Sequence, residues 1–406
     1  MPAVATAPSS SPAAVKAKPC PVCRSAATRL FFVLRDVPCQ DGIIWPSRQA
    51  AIDAARGDIE LVYCPACSHV FNQAFDPSKF TFDATYNISL HHSPAYRQFI
   101  DDLIAGLVER HGLRNKSVLE IGCGKADFLK AVCLPYGNRG QGFDPTFTDD
   151  CLDADARKTI SVTKDYYSPA KYPQAKGDLV TFRSMLQYMT DPRGFVSGLV
   201  PGIAKDGVLY AEVPNSAHVF EQLCIWNIVY EHGCFYSRQS LAKLMSEVGL
   251  HVQDCFACWV EDQNLGVEAS PAKSSRQFKF DQAEVDAFTN TIDRFTAAHR
   301  EKTAYWHDTL ASLKKSGKKV AMWGAGARAQ AFCNLFGVYD DTLPFIVDIN
   351  PYRQGKFMPK TLQQVIAPQQ LVAQQPDTII ITNSGYAPEI KQQIAELGLK
   401  SETLVI

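Results

Sequence analysis

Apolar residues gather in short β-like runs near the N-terminus. They then alternate between strand-like runs and helical spacing, and do so again after a long helical stretch. Leu30 to Leu34 and Ile59 to Tyr63 read as strands of a small module over residues 19–80. In residues 81–280, the expected strands are Ser117 to Ile121, Gln141 to Asp144, Asp178 to Phe182 and Gly207 to Val213. Their alternation with helical patterns implies an α/β fold with a doubly wound, mainly parallel sheet. From Ala283 to Leu313, positions such as Val285, Phe288, Ile292 and Phe295 keep three- or four-residue spacing, so 281–317 reads as a helical connector. A second, smaller α/β unit fills 318–406, with strands at Lys319 to Trp323, Leu343 to Asp348, Thr378 to Thr382 and Thr403 to Ile406. Residues 1–18 lack the basic start and apolar centre of a signal peptide and read as a disordered tail.

The run Val118-Leu119-Glu120-Ile121-Gly122-Cys123-Gly124 carries the strongest chemistry. It is a buried strand that ends in an acid and breaks into a glycine turn. A helix follows Asp127, where Phe128, Leu129 and Val132 share one face. Glycines there let a ligand approach the backbone. A carboxylate at the strand end repels phosphate and suits an ammonium or sulfonium charge. Glu120-x-Gly122-x-Gly124 therefore resembles the S-adenosylmethionine site of class I methyltransferases more than a nicotinamide site. Asp144, closing the next strand, can accept hydrogen bonds from both ribose hydroxyls. Ala126 stands where methyltransferases often have a third glycine. Arg183 to Gln187 follow a later strand, where the cofactor's methionine end or the acceptor belongs.

Composition narrows the class. With 406 residues, 46% of them hydrophobic, the chain has room for roughly two or three domains. A net charge of −1 gives no footprint for nucleic acid or membrane, and no apolar run reaches transmembrane length. Thirteen scattered cysteines without a secretory signal fit reduced thiols in the cytoplasm plus one metal site. Cys20-Pro-Val-Cys23 and Cys64-Pro-Ala-Cys67 place four thiolates on two tight turns, enough for closed, structural tetrahedral zinc, with Cys39 and His69 as nearby substitutes. Cys255-x-x-Cys258 has no partner pair and reads as core packing.

Val229-Tyr230-Glu231-His232-Gly233 precedes a helix that Ser237 can cap. Methyl transfer to carbon needs a base to remove a proton and groups that hold the enolate. Histidine titrates near neutrality, so His232 is the candidate base. If this segment is extended, Tyr230 and His232 face one side and Glu231 the other, where it orients another donor or binds substrate.

These parts resemble the three-domain methyltransferases that include the nucleotide-sugar C-methyltransferases, over nearly everything after residue 18. The resemblance implies a zinc module matched by Cys20, Cys23, Cys64 and Cys67. It also implies a class I S-adenosylmethionine domain matched by Glu120, Gly122, Gly124 and Asp144, and a C-terminal Rossmann-like domain. It puts Glu231 and His232 at the substrate, with the histidine as proposed base, and matches Tyr86 to an aromatic that reaches the site. Two departures stand out. Val229 replaces the tyrosine usual two residues before the glutamate, and Leu186-Gln187-Tyr188 stands where the sugar enzymes tend to carry a histidine. Both bear on the acceptor and its reacting atom.

Trp323-Gly324-Ala325-Gly326-Ala327-Arg328-Ala329, with Asp348 ending the next strand, makes a second, dinucleotide-like turn. No acid precedes it, so a phosphate is acceptable there and Arg328 can assist. The resemblance implies a scaffold for the acceptor's nucleotide or phosphate; a turn used only for packing is the other reading. The expected function is S-adenosylmethionine-dependent methylation of a carbon next to a carbonyl in a small acceptor, which can be a nucleotide-linked sugar. Alternatives are O- or N-methylation, an NAD-binding oxidoreductase using the second turn, and a non-enzymatic scaffold.

Overall fold

The computed structural model describes residues 16–40, 42–80, 94–383 and 386–406. Three sheets organise them. The N-terminal module is a four-stranded sheet in the order β1 (Arg29–Pro38), β2 (Arg56–Cys64), β3 (His69–Asn72) and β9 (Cys234–Phe235). Its fourth strand comes from far along the chain, directly after His232: Val70 pairs with Phe235 and Phe71 with Cys234.

The central sheet has seven strands: β4 (Ser117–Ile121), β5 (Arg139–Phe143), β6 (Ile160–Thr163), β7 (Gly177–Arg183), β8 (Ile203–Pro214), β10 (His251–Cys258) and β11 (Asn264–Ser270). Their order is β10-β11-β8-β7-β4-β5-β6. The strands β4 to β8 are parallel, whereas β11 runs antiparallel between β8 and β10. The chain winds outward from β4 through β5 and β6, then returns to β7 on the other side of β4. Ligands bind outside the carboxyl ends of strands at such a reversal. The expected strands are present within a few residues of their sequence positions, and Cys255 is buried in β10 as core.

The C-terminal sheet is wholly parallel, in the order β14 (Gln364–Ile366), β13 (Phe345–Val347), β12 (Val320–Trp323), β15 (Thr378–Ile381) and β16 (Glu402–Val405). The long helix Gln282–Lys315 is more than the connector its spacing suggested. Its Thr289 hydroxyl lies 2.7 Å from the Tyr63 hydroxyl, and Asp293 pairs with Arg29 at 2.7 Å. Phe295 is buried among Phe31, Phe32 and Phe220, while Trp306 packs edge-on to Phe332 of the C-terminal domain at 4.9 Å. One apolar core therefore runs from the N-terminal module through this helix into the C-terminal domain. The segment between β1 and β2 adds a second tie, with Trp45 and Phe357 exchanging backbone hydrogen bonds of 2.9 Å. Among the described residues, no helix is long and apolar enough to cross a membrane.

Phe295 sits where three elements meet, so Phe295→Ala should destabilise the protein by about 3–5 kcal/mol. A lowered denaturant midpoint, followed by intrinsic fluorescence, measures this.

Candidate active site

At the end of β4 the backbone turns through Gly122 and Gly124, both left-handed at φ 69° and 50°. A Cβ on Gly122 would strike the Met185 thioether. One on Gly124 would meet nothing within 4 Å among the described residues. Ala126 is also left-handed, at φ 58°, a conformation that costs a residue with a side chain about 1 kcal/mol and a glycine far less. Asp144 fixes the turn. Its Oδ2 accepts from the Gly124 amide at 2.8 Å, and Oδ1 accepts from the Thr146 amide at 2.8 Å and hydroxyl at 2.7 Å. With three protein donors already bound, about one of its lone-pair positions is left for a ligand.

Glu120, at the end of the buried strand, is itself buried, at 3% exposure, with Oε2 lacking a hydrogen-bond partner among the described residues. Burial pushes the carboxyl up to about 8, and the nearby Arg183 guanidinium opposes that shift. Burial therefore favours the neutral form of this acid. Arg183, at the end of β7, lies over the Phe128 ring, donates to the Tyr96 hydroxyl at 3.2 Å and approaches Glu212 at 4.0 Å. The sequence placed Arg183 near the site without a role. What it missed is the second acid, Glu212, three strands from the sheet edge and separated from Arg183 in sequence by a whole helix.

The segment after β7 links this turn to the candidate base. Met185 covers Gly122; three residues later the Tyr188 ring lies 6.0 Å from the His232 imidazole. His232 is half-buried, with Phe235 at 5.6 Å, and Phe80 and Phe75 continue the aromatic wall beyond Tyr188. Burial pushes His232 down to about 4, leaving it neutral and able to accept a proton at pH 7. Between Met185 and Tyr188, Gln187 is buried and its Oε1 has no hydrogen-bond partner among the described residues. The aromatic clustering of Phe71, Phe75 and Phe80 was the available sequence signal for this wall.

Tyr230 requires a correction. Residues 229–233 form tight turns, with His232 N–H donating to the Val229 carbonyl and Gly233 N–H to that of Glu231, so Tyr230 and His232 do not share a strand face. The Tyr230 ring is buried against Gly57, its hydroxyl accepts from the Asp76 amide at 3.0 Å, and burial raises it to about 12. It anchors the N-terminal module and is not an acid or base of the site. Glu231 is buried on that same side, near enough to Cys39 to act on its thiol. Tyr86 lies outside the described residues.

Cys20, Cys23, Cys64 and Cys67 converge, their sulfurs all within 4.8 Å of one another. Cys20 lies 3.8 Å from Cys67 and Cys23 3.5 Å from Cys64. Tetrahedral Zn–S bonds of about 2.3 Å imply S···S edges of about 3.8 Å, so the cluster fits zinc. Cys39 and His69 stand outside it.

The second glycine turn repeats the wiring of the first. Gly122 and Gly324 each donate to the last carbonyl of the neighbouring strand, at 2.8 and 2.7 Å. Ala325 donates to Asp348 Oδ2 at 2.9 Å, as Gly124 does to Asp144. Asp348 differs in having the Arg353 guanidinium across it at 3.3 Å. Arg328 is in the first turn of the ten-residue helix that follows, Ala327–Phe336, and Gly42 of the N-terminal module lies against Ala327.

Comparison with known proteins agrees with this geometry. Residues 92–254 match the family described as a methyltransferase domain, and residues 268–406 that described as a C-methyltransferase C-terminal domain. The C-methyltransferase NovU of Streptomyces niveus is 26% identical over 315 residues, covering 72% of each chain. Among solved structures, the N-methyltransferase NodS of Bradyrhizobium japonicum WM9 is 18% identical and covers 45% of this chain and all of its own, with a TM-score of 0.34. An S-adenosylmethionine-dependent methyltransferase from Aquifex aeolicus is 16% identical, covering 48% and 98%, with a TM-score of 0.33. The two matched domains mark the chain as an S-adenosylmethionine-dependent methyltransferase. More narrowly, it carries the C-terminal domain of the C-methyltransferases, and C-methylation is the activity this combination supports.

The buried acid sets a pH dependence. Because the folded value of Glu120 lies above its ordinary 4.5, the stability it contributes is present below that value and lost as pH rises through 8. Glu120→Gln removes this loss. The ligand-free variant should unfold at a higher temperature than the parent at pH 9, by the equivalent of a few kcal/mol, and at a similar temperature at pH 5. Thermal unfolding at the two pH values measures this.

Proposed function

We propose that the enzyme methylates a carbon next to a carbonyl in a small acceptor that bears a phosphate or nucleotide, with His232 as general base. The observation that carries this reading is the single short segment, Met185 to Tyr188, that runs from the glycine turn to the His232 crevice. S-Adenosylmethionine supplies an electrophilic methyl group. Glu120, Gly122, Gly124 and Asp144 hold it, with Asp144 taking one ribose hydroxyl. Neutral His232 removes the proton from the acceptor carbon, and Gln187, whose Oε1 has no partner among the described residues, accepts from a hydroxyl of the acceptor. The aromatic wall excludes water while the carbanion meets the methyl. Orientation of the two reactants supplies much of the rate. Glu231 orients the His232 turn, and Tyr86 reaches the acceptor.

Arg328 and Arg353 at the second turn suit the acceptor's phosphate. The guanidinium across Asp348 occupies the place a nicotinamide dinucleotide's ribose needs, which disfavours the oxidoreductase reading. A hydroxyl or amine acceptor is the competing reading, favoured by Val229 where the sugar enzymes carry tyrosine and by Leu186-Gln187-Tyr188 in the loop where they tend to carry histidine. The four-cysteine cluster holds a structural zinc ion, and nine further cysteines, none in a disulfide among the described residues, suit the cytoplasm.

Mass spectrometry of metabolites incubated with methyl-labelled cofactor identifies the acceptor. In deuterium oxide with S-adenosylhomocysteine present, that acceptor should then take up deuterium at the carbon to be methylated. His232→Ala should lose both exchange and methyl transfer by about 10²–10⁴-fold. Transfer without any exchange would favour oxygen or nitrogen as acceptor. Because His232 is protonated only below about 4, the rate should be level above about pH 5 and fall below it.

Zinc acts on the base through β3 and β9. Cys67→Ser should lower methyl transfer by about tenfold or more while leaving S-adenosylhomocysteine affinity within about threefold, because the glycine turn belongs to another sheet. Metal analysis should find zinc in the parent protein.

A further inference from the structure

Beneath the glycine turn the central sheet carries a row of polar side chains on one face. Glu120 is in register with Thr181, Thr181 with Tyr210, and Arg183 with Glu212. Side chains of paired residues in adjacent strands project to the same side, and Arg183 shares that side with Thr181 two residues earlier. Glu120, Thr181 and Glu212 are all buried.

Satisfaction within this row is uneven. Glu212 is well provided for, accepting from Asn264 at 2.7 Å and from the Tyr210 hydroxyl at 3.3 Å. Glu120 Oε2, Thr181 Oγ1 and Arg183 Nε have no hydrogen-bond partner among the described residues. Buried polar atoms left this way are costly, so three of them on one sheet face mark a row that a polar ligand group can complete.

The charges are also unequal. Arg183 is the cation paired with Glu212, and Glu120 forms no ion pair among the described residues. Besides Arg183, the acids Asp127 and Asp144 oppose ionisation of Glu120 and the Leu129 backbone N–H favours it; Asp127 is already paired with Lys130 at 2.9 Å. Cys123 and Cys133 face it as well, and burial keeps both thiols protonated. Arg183 itself faces Tyr96 and Tyr210, whose phenols are neutral. One guanidinium thus serves two buried carboxyl groups.

We propose that Glu120 and Glu212 share Arg183 as their single buried counter-ion, and that the ammonium group of the cofactor's methionine moiety supplies the second, displacing one proton from Glu120 as it binds. This rests on the S-adenosylmethionine reading of the site. The proton leaves to solvent, the ammonium keeps its own, and the cluster then holds two cations against two carboxylates. Arg183 is a positioning residue here, acting on the cofactor through Glu120.

Calorimetry of the full-length, zinc-loaded protein with S-adenosylhomocysteine at pH 7, in phosphate and in Tris, tests the proposal. The binding heat should differ between the buffers in proportion to about one proton released per ligand. 5′-Methylthioadenosine, which keeps the adenosine and sulfur but lacks the ammonium, should bind with no such difference. In Glu212→Gln, Arg183 is free to serve Glu120 alone, Glu120 is already ionised, and proton release on binding should fall by at least half. Equal heats in both buffers for the parent protein, or equal proton release with both ligands, would overturn the proposal while leaving the cofactor assignment intact. Absence of binding by either ligand would instead remove the cofactor assignment. The parent-protein comparison decides the matter even if the variant does not fold.

Discussion

The pairing of β3 with β9 is the contact on which the site depends. It takes two residues from the middle of the chain and makes them the last strand of the N-terminal sheet. The cysteine cluster fixes the hairpin that presents β3, since Cys64 closes β2 and Cys67 immediately precedes Ser68 and His69. His232 is tied to that strand by the Asn72 N–H bond to the Gly233 carbonyl, 2.9 Å long. A module that looks detachable in sequence therefore sets the position of the His232 imidazole. The same arrangement explains Tyr230, which turns into the module and anchors it to Asp76 while His232, two residues on, lies beside the Tyr188 and Phe235 rings.

The cofactor turn shows how burial changes the meaning of an acid. An exposed carboxylate at the end of β4 would be a fixed negative charge, attractive to any cation. Buried beside one shared arginine, Glu120 is a group whose charge depends on what occupies the turn. The protein holds an incompletely satisfied polar row beneath its cofactor site at a cost in stability, a common compromise where binding has to be selective. Asp144 shows the opposite design. Its oxygens are already used to brace the loop, so it contributes rigidity first and recognition second.

The two α/β domains use one local solution twice. In each, a strand ends in a glycine turn whose amides bind the last carbonyl and the terminal acid of the next strand. What differs is charge: an acid precedes the first turn, and arginines surround the second. That difference suits the first to a cationic ligand and the second to an anionic one. The long helix Gln282–Lys315 and the segment around Trp45 hold both domains against the N-terminal module, through an apolar core continuous across them.

Much of this was legible in the amino-acid order, because it depends on local pattern. The strand Ser117–Ile121, the glycine turn, the two cysteine pairs and the alternation of strands and helices all follow from neighbours within a few residues. So does the Ser237 cap, which accepts from the Ser240 amide as its position suggested. Other features needed the chain to return on itself. β9 is two residues long and has no periodicity to read; it is a strand only because β3 lies beside it. Tyr230 and His232 part company because hydrogen bonds at the Val229 and Glu231 carbonyls bend a segment that is equally plausible as extended. Glu120 and Glu212 are 92 positions apart and share one arginine only after five parallel strands are laid in order. Local order specified which elements form and which residues can carry charge. Burial and proximity, which exist only in the folded state, decided which of those charges is real.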